Sequence, residues 1–127
     1  MAKVDSELLL SWAQRVAGIE GIAMDARYLM EDVVSTALAF EQDRDAFANA
    51  MDSVARALRV IVRDRDVGQP LVGNHEGWRS FHFQSERRQK YPADMRIIFQ
   101  DASDVVRIKG FGHRWLPAEV YERIRLR

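Results

Sequence analysis

The chain has 127 residues, of which 47% are hydrophobic and 30% are charged, a composition typical of one globular domain. It contains no cysteine, which excludes disulfide frameworks, thiolate nucleophiles and cysteine-ligated metal sites. No apolar run approaches the roughly 20 residues that cross a bilayer, and the acidic start does not resemble a secretory signal, so we expect a cytoplasmic protein with no membrane partner.

The formal net charge is zero, but the charges are unevenly distributed along the chain. Residues 1–74 carry 8 basic and 12 acidic side chains, whereas residues 75–127 carry 11 basic and 7 acidic ones. A basic second half is typical of proteins that bind a polyanion. The alternative is that the two oppositely charged halves simply pack against each other.

The first half has helical periodicity throughout. We predict a short helix that Asp5 or Ser6 caps and that runs through Val16, then a break between Gly18 and Gly21. A second helix is predicted over residues 22–40 and a third over residues 45–62, with Asp43 as the cap of the third.

After a turn-rich segment the apolar period changes to that of strands. Strands are predicted at residues 79–84, 95–100 and 104–110, followed by a closing helix over residues 118–126 with Pro117 at its start. Helices followed by a meander predict an α+β fold in which the helices pack on a three- to four-stranded antiparallel sheet. We expect the following residues to be buried against the third helix: Ile97, Phe99, Val106 and Ile108.

The known phosphate-binding glycine motifs are absent from the sequence, and the three histidines show no metal-ligand spacing. We therefore expect neither a metal nor another cofactor. The second half instead concentrates cations and proton-transfer groups. They are Arg79, His82, Arg87, Arg88, Lys90, Arg96, Arg107, Lys109, His113, Arg114 and Tyr121.

Alternation along the strands predicts a basic row on the sheet face opposite the helices, because residues at alternate positions share a face. Such a row can bind phosphates, and Trp78, Tyr91 and Trp115 can stack on bases. The simpler interpretation is that these cations only keep one face of the sheet hydrated.

The order of motifs in this half resembles the RelE/ParE superfamily of toxins from type II toxin–antitoxin systems. The resemblance covers roughly residues 47–124 and depends on short motifs in a fixed order. They are Met95-Arg96-Ile97-Ile98-Phe99, an acidic turn, Val105-Val106-Arg107-Ile108, Gly112-His113-Arg114 and Val120-Tyr121. This resemblance implies one domain over residues 1–127. The domain consists of an acidic helical extension (1–44) and a RelE/ParE-like helix with its β-meander (45–127).

The resemblance also implies roles for individual residues. Arg96 matches the arginine that holds the scissile phosphate in the family's ribosome-dependent ribonucleases. Arg114, or His113 beside it, matches the general acid or transition-state stabiliser, and Tyr121 lies near the position of the tyrosine that orients the nucleotide. We expect RNA contacts from the remaining cations of the meander, namely Arg79, Arg87, Arg88, Lys90, Arg107 and Lys109.

The resemblance implies a toxin that cleaves ribosome-bound mRNA without a metal, with RNA, the ribosome and a cognate antitoxin as partners and a homodimer as a further option. The alternative is a binding module on the same fold without catalysis, such as a gyrase-type inhibitor or a regulatory protein. Family members begin with a strand directly before a helical hairpin, and here the sequence predicts no strand before Asp5.

Overall fold

A computed structural model describes residues 3–127, which form an α+β fold. Four α-helices are present in this part of the chain: α1 (Ser6–Ala17), α2 (Ala26–Ala39), α3 (Arg44–Arg63) and α4 (Val120–Arg123). Five strands form one sheet: β1 (Ile22–Ala23), β2 (Gln69–Pro70), β3 (Arg79–Phe83), β4 (Met95–Asp101) and β5 (Val106–His113). A short 3-10 helix spans Gly73–His75.

The sheet is mixed, with strand order β1-β5-β4-β3-β2. Strands β2 to β5 pair antiparallel, whereas β1 lies parallel to β5 with Ile22 opposite Val106. The predicted meander is confirmed, and the prediction of an entirely antiparallel sheet with three or four strands is wrong. Both added strands have two residues, which is too short for an alternating pattern to be recognised.

The second predicted helix begins later than expected, because Ile22 and Ala23 belong to β1. Gly21, at φ 94°, turns the chain into this strand, and its carbonyl accepts a hydrogen bond from the Val106 backbone N–H at 2.8 Å. Asp25 then caps α2 by accepting from the backbone N–H groups of Arg27 and Tyr28. The predicted Asp5 and Asp43 caps of α1 and α3 are confirmed.

The helices α1, α2 and α3 pack on one face of the sheet and enclose the main hydrophobic core. Ile97, Phe99, Val106 and Ile108 are at most 5% exposed and share this core with the apolar stripe of α3, so their predicted burial is confirmed. In the part of the chain that the structure describes, no helix is long and apolar enough to cross a membrane.

A β-bulge in β5 changes which residues face the helices. Ile98 pairs with Gly110 and Phe99 pairs with Ile108, so Lys109 has no partner in β4. Beyond the bulge Phe111 joins the main core, whereas Gly110 and Gly112 pair with residues of the opposite face. This opposite face carries a second small core, in which Ile98 packs with Val120 and Ile124 at the C-terminus.

The closing helix is shorter than predicted. Helix α4 spans Val120–Arg123, and the Glu119 side chain caps its start.

An ionic cluster holds the C-terminal segment in place. Asp32 of α2, which is fully buried, accepts hydrogen bonds from Arg123, Arg127 and the Phe111 backbone N–H. The two arginines in turn donate to the carbonyls of Phe111 and Lys109 on the edge of β5. The cluster therefore supplies hydrogen-bond donors to the part of the β5 edge that β1 does not cover.

Candidate functional site

The candidate site lies on the sheet face opposite the helices. It is at the end of the sheet where β3 and β5 end and β4 begins, next to the loop of residues 84–94. His82 of β3 is directly opposite Arg96 of β4, and Arg96 is directly opposite Gly112 of β5. Residues opposite each other in antiparallel strands have their side chains on the same face, within about 5.5 Å at Cβ. The register thus places His82 next to Arg96, although the two residues are 14 positions apart in sequence.

Arg96 is a buried cation without a carboxylate partner. The residue is 3% exposed, and its Nη1 donates to the carbonyls of Ala93 and Met95. Its Nε has no hydrogen-bond partner, and no acid in residues 3–127 lies within 4.0 Å of the guanidinium. Burial lowers the pKa of Arg96, and the Tyr121 hydroxyl opposes that shift. A buried charge of this kind favours an anion in its vicinity.

His82 has the properties of a general base. The residue is exposed, and partial desolvation together with the Arg96 and Arg114 guanidinium groups lowers the pKa of its ring. A lowered pKa favours the neutral form of the ring, and a neutral imidazole can accept a proton.

Tyr121 reaches the same face from α4. Its hydroxyl is 2.8 Å from the Ser80 Oγ, and Ser80 is 1% exposed. Ser80 pairs with Ile98, which lies two residues from Arg96 on β4, so the Tyr121 hydroxyl lies on the same face of the sheet as Arg96. The ionic cluster around Asp32 connects α4 and the C-terminal segment to α2. Because Tyr121 belongs to α4, these contacts with α2 also hold the tyrosine in position.

Arg114 is exposed at the end of β5. Its backbone N–H donates to the Asp94 carbonyl at 2.7 Å, and its own carbonyl accepts from the Val120 N–H at 2.9 Å. The guanidinium lies over the Trp115 ring, 5.0 Å from the centroid. Of the four predicted catalytic residues, Arg96 and Tyr121 therefore share one face of the sheet, and Arg114 follows directly after the end of β5.

His113 is not part of this cluster. It pairs with Met95 on the helix side of the sheet, is 8% exposed and packs edge-on against Phe40, with 5.6 Å between the ring centroids. Its Nδ1 accepts hydrogen bonds from the backbone N–H groups of Trp115 and Leu116, both at 3.1 Å. The bulge at Lys109 explains the placement, because one extra residue turns every later side chain of β5 to the other face.

The six residues predicted to contact RNA are in different environments. Arg79 donates to three backbone carbonyls of residues 66–68 and fastens the loop after α3. Lys109 is 7% exposed, whereas Arg107 is exposed beside it. The loop cations Arg87, Arg88 and Lys90 are exposed, and Arg88 forms a salt bridge with Glu86.

His82 is a proton-transfer group of the meander for which the sequence predicts no catalytic role. The signal was present, since His82 alternates with Phe81 and Phe83 and so had to face away from the helices. Among residues 3–127 no group of three or more metal-ligating side chains comes together. Comparison of this chain with known protein families, with curated proteins and with solved structures finds no match.

Proposed function

We propose that the protein is a RelE/ParE-like toxin that cleaves mRNA, and that the face carrying His82, Arg96, Arg114 and Tyr121 is its active site. The observation that carries the proposal is the Arg96 guanidinium, which is buried with no carboxylate within 4.0 Å and lies opposite a histidine whose pKa is lowered. A cation next to a base is what attack of an RNA 2′-hydroxyl on the adjacent phosphate requires.

The order of elements supports the proposal. The short strand β1 directly precedes the helical hairpin formed by α2 and α3, and the meander of β3, β4 and β5 and the short helix α4 follow. This is the arrangement that the resemblance implies, and β1 is the strand that the sequence did not predict. In this interpretation α1 is an additional N-terminal helix.

The proposed reaction uses the four side chains as follows. His82 takes the proton of the 2′-hydroxyl, and the 2′-oxygen forms a bond to phosphorus. The exposed Arg114 binds the phosphate, and the charge of Arg96 stabilises the negative charge that develops on its oxygens. The bond from phosphorus to the 5′-oxygen breaks, and this oxygen takes a proton from the Tyr121 hydroxyl, which regains one from solvent. The products are a 2′,3′-cyclic phosphate and a 5′-hydroxyl end.

The proposed partners follow from the same face. Ribosome-bound mRNA is the substrate, and the exposed cations of the loop provide additional phosphate contacts. A cognate antitoxin with acidic side chains would cover Arg114 and this loop and so block the site.

A second candidate function is a binding module without catalysis. It is favoured by the burial of Arg96, because a guanidinium that is 3% exposed cannot reach a substrate directly. In that case Arg114 and the loop cations would bind a partner, and His82 would have no chemical role.

The experiment is inducible expression in a bacterium together with incubation of the purified protein with ribosomes and mRNA. We expect growth arrest and cleavage products that end in a cyclic phosphate. His82→Ala, at an exposed position, should reduce cleavage about 100-fold or more, which is the usual contribution of a general base. Arg96→Gln should reduce it to a similar extent.

Arg63→Gln is the matched control, because it removes one exposed positive charge at the end of α3, far in sequence from the site. It should cleave at the rate of the natural sequence. If His82→Ala and Arg96→Gln both retain their melting temperature and the original cleavage rate, the assigned active site is wrong. Growth arrest without any RNA cleavage would favour the binding module.

A further inference from the structure

A separate cavity lies at the other end of the sheet, between the start of α2 and the strands. Its volume is about 400 Å³, and its walls include Asp25, Tyr28, Trp78, Arg107 and Lys109. Arg107 is opposite Gln100 in β4, four residues along the strand from Arg96. At about 3.3 Å per residue the two positions are about 13 Å apart, so this cavity is distinct from the candidate active site.

Lys109 brings a nearly buried ammonium group into this cavity. It is the bulged residue of β5 and is 7% exposed. No carboxylate in residues 3–127 lies within 4.0 Å of its Nζ, as the salt bridges of this part of the chain involve other cations. A cation at this depth without an acid is destabilising unless a ligand or a polar network compensates its charge.

The polar network around Lys109 accounts for only one of the three ammonium protons. Nζ lies 3.1 Å from Nδ1 of His75, and Nε2 of His75 lies 2.9 Å from the Tyr121 carbonyl. Because a carbonyl can only accept, Nε2 carries the imidazole proton and Nδ1 accepts from the lysine. The histidine therefore accepts from the ammonium group, and no carboxylate in residues 3–127 balances the charge of Lys109.

Arg107 supplies a second cation at the mouth of the cavity. Its Nη1 donates to the Gln100 side chain at 3.1 Å, and the rest of the guanidinium fork is free for another acceptor. The Arg107 guanidinium and the Lys109 ammonium lie 5.4 and 5.3 Å from the centroid of the same ring, that of Trp78. Both cations therefore contact the Trp78 ring, and both line the same cavity.

The other charged groups of the cavity wall are already paired. Asp25 accepts from the backbone N–H groups at the start of α2 and lies 4.0 Å from Arg27, which engages its charge. Arg127 is bound by Asp32 and Glu31. The charges left unpaired in the cavity are therefore the two positive ones of Lys109 and Arg107.

We propose that Lys109 and Arg107 form a binding site for a terminal phosphate group, either inorganic phosphate or the phosphate monoester of a small molecule or of a nucleic-acid end. Two cations match the charge of a phosphate dianion, and an arginine fork with a lysine is a typical way of binding its oxygens. The cavity has room for the phosphate and part of the group that carries it. This site does not depend on the proposed ribonuclease activity.

The test is isothermal titration calorimetry of the full-length protein with inorganic phosphate at constant ionic strength. We expect saturable binding that Lys109→Met and Arg107→Gln each weaken about tenfold or more, since each variant removes one charge-assisted contact. Arg59→Gln removes an exposed positive charge from α3 and should bind phosphate as the natural sequence does. A melting curve of each variant reports folding, and the exposed Arg107→Gln decides the question if Lys109→Met does not fold.

Two RNA oligonucleotides of the same sequence, one with a 5′-phosphate and one with a 5′-hydroxyl, then distinguish the sources of the phosphate. Tighter binding of the phosphorylated one, lost in Arg107→Gln, assigns the site to a nucleic-acid end. Equal binding of both oligonucleotides with retained phosphate binding assigns it to small phosphorylated ligands. The proposal is wrong if inorganic phosphate at about 20 mM gives neither heat nor a rise in melting temperature, or if both variants bind phosphate as tightly as the natural sequence.

Discussion

At the scale of single residues, the two sheet faces give chemically similar side chains different roles. His82 and His113 both have a lowered pKa, but His82 is exposed opposite Arg96 whereas His113 is buried beside Phe40. Burial is the main cause for His113, and the Asp94 carboxylate opposes the shift. His113 accepts two backbone hydrogen bonds at Nδ1, so we assign it the role of fastening the turn after β5.

The lowered pKa of His113 predicts a pH dependence of stability. In the unfolded chain the ring binds a proton below about pH 6.5, whereas the folded protein binds it only at lower pH. The unfolded state then binds more protons, so the free energy of unfolding should be constant above this pH and decrease as the pH falls toward 5. His113→Asn keeps a hydrogen-bond acceptor for the turn and removes the titration, and the decrease should become smaller.

Denaturant unfolding at a series of pH values measures this effect. His82→Ala is the second variant to compare, because its pKa is also lowered and contributes to the same decrease. Glu86 and Asp101 do not interfere, since carboxylates titrate below about pH 4.5. An unchanged decrease in His113→Asn would show that the imidazole is not held in its neutral form.

At the scale of elements, the bulge in β5 is the feature that organises both candidate sites. It directs Lys109 into the cavity beside Trp78, returns Phe111 to the main core and leaves Gly110 and Gly112 beneath the C-terminal segment. The absence of side chains at these glycines lets Ile124, Arg123 and Arg127 approach the strand. The position of α4, and with it that of Tyr121, depends on this close approach.

Gly110→Ala tests the packing between β5 and α4. A Cβ at this position would lie 2.8 Å from both the Ile124 Cγ2 and the Arg127 Nη1, so the C-terminal segment must move. We expect a loss of about 1–3 kcal/mol in the free energy of unfolding, the usual cost of overpacking. The displaced Tyr121 should also reduce RNA cleavage if the proposed function is correct.

Gly18→Ala is the control for this variant. Gly18 has a right-handed helical backbone at φ −81°, and an added Cβ would have its nearest neighbour at 3.4 Å. Its stability should change by less than about 1 kcal/mol. Equal stability of both variants in denaturant unfolding would contradict the tight packing of α4 on β5.

At the scale of the whole molecule, the acidic first half is part of the core and does not cover the basic face. Trp12 and Val16 of α1 and Leu29 and Val33 of α2 are buried in the same cluster as the sheet. Two salt-bridge sites connect the halves among the described residues: Asp32 of α2 binds Arg123 and Arg127, and Arg65 binds Asp101. Pairing of oppositely charged halves, one of the two interpretations of the charge distribution, therefore occurs in the cluster around Asp32.

Asp32→Ala should destabilise the whole molecule strongly. The substitution leaves Arg123 and Arg127 without their fully buried partner and the Phe111 backbone N–H without an acceptor. Removing one member of a buried ionic network costs about 3–5 kcal/mol. Glu31→Gln is the matched control, because Glu31 also binds Arg127 but is half-exposed, and an exposed salt bridge contributes about 1 kcal/mol or less. Denaturant unfolding of both variants measures the difference, and equal losses would contradict the central role of Asp32.

Periodicity and capping residues in the sequence were sufficient to predict α1, α3, the meander and the residues that face α3. These features depend on neighbours within a few positions, because apolar spacing and a capping aspartate act locally. The same alternation correctly predicted that Arg96 faces away from the helices.

Only the tertiary structure determined the remaining features, because each depends on residues far apart in sequence. Ile22 and Ala23 form a strand since β5 offers an edge to pair with, and no two-residue segment has a period of its own. The bulge at Lys109 is defined only by the pairing of β5 with β4. It places His113 on the helix side of the sheet and Lys109 in a cavity. Asp32 and Arg127 are 95 positions apart, and their pairing follows from the packing of α2 and the C-terminal segment along the edge of β5.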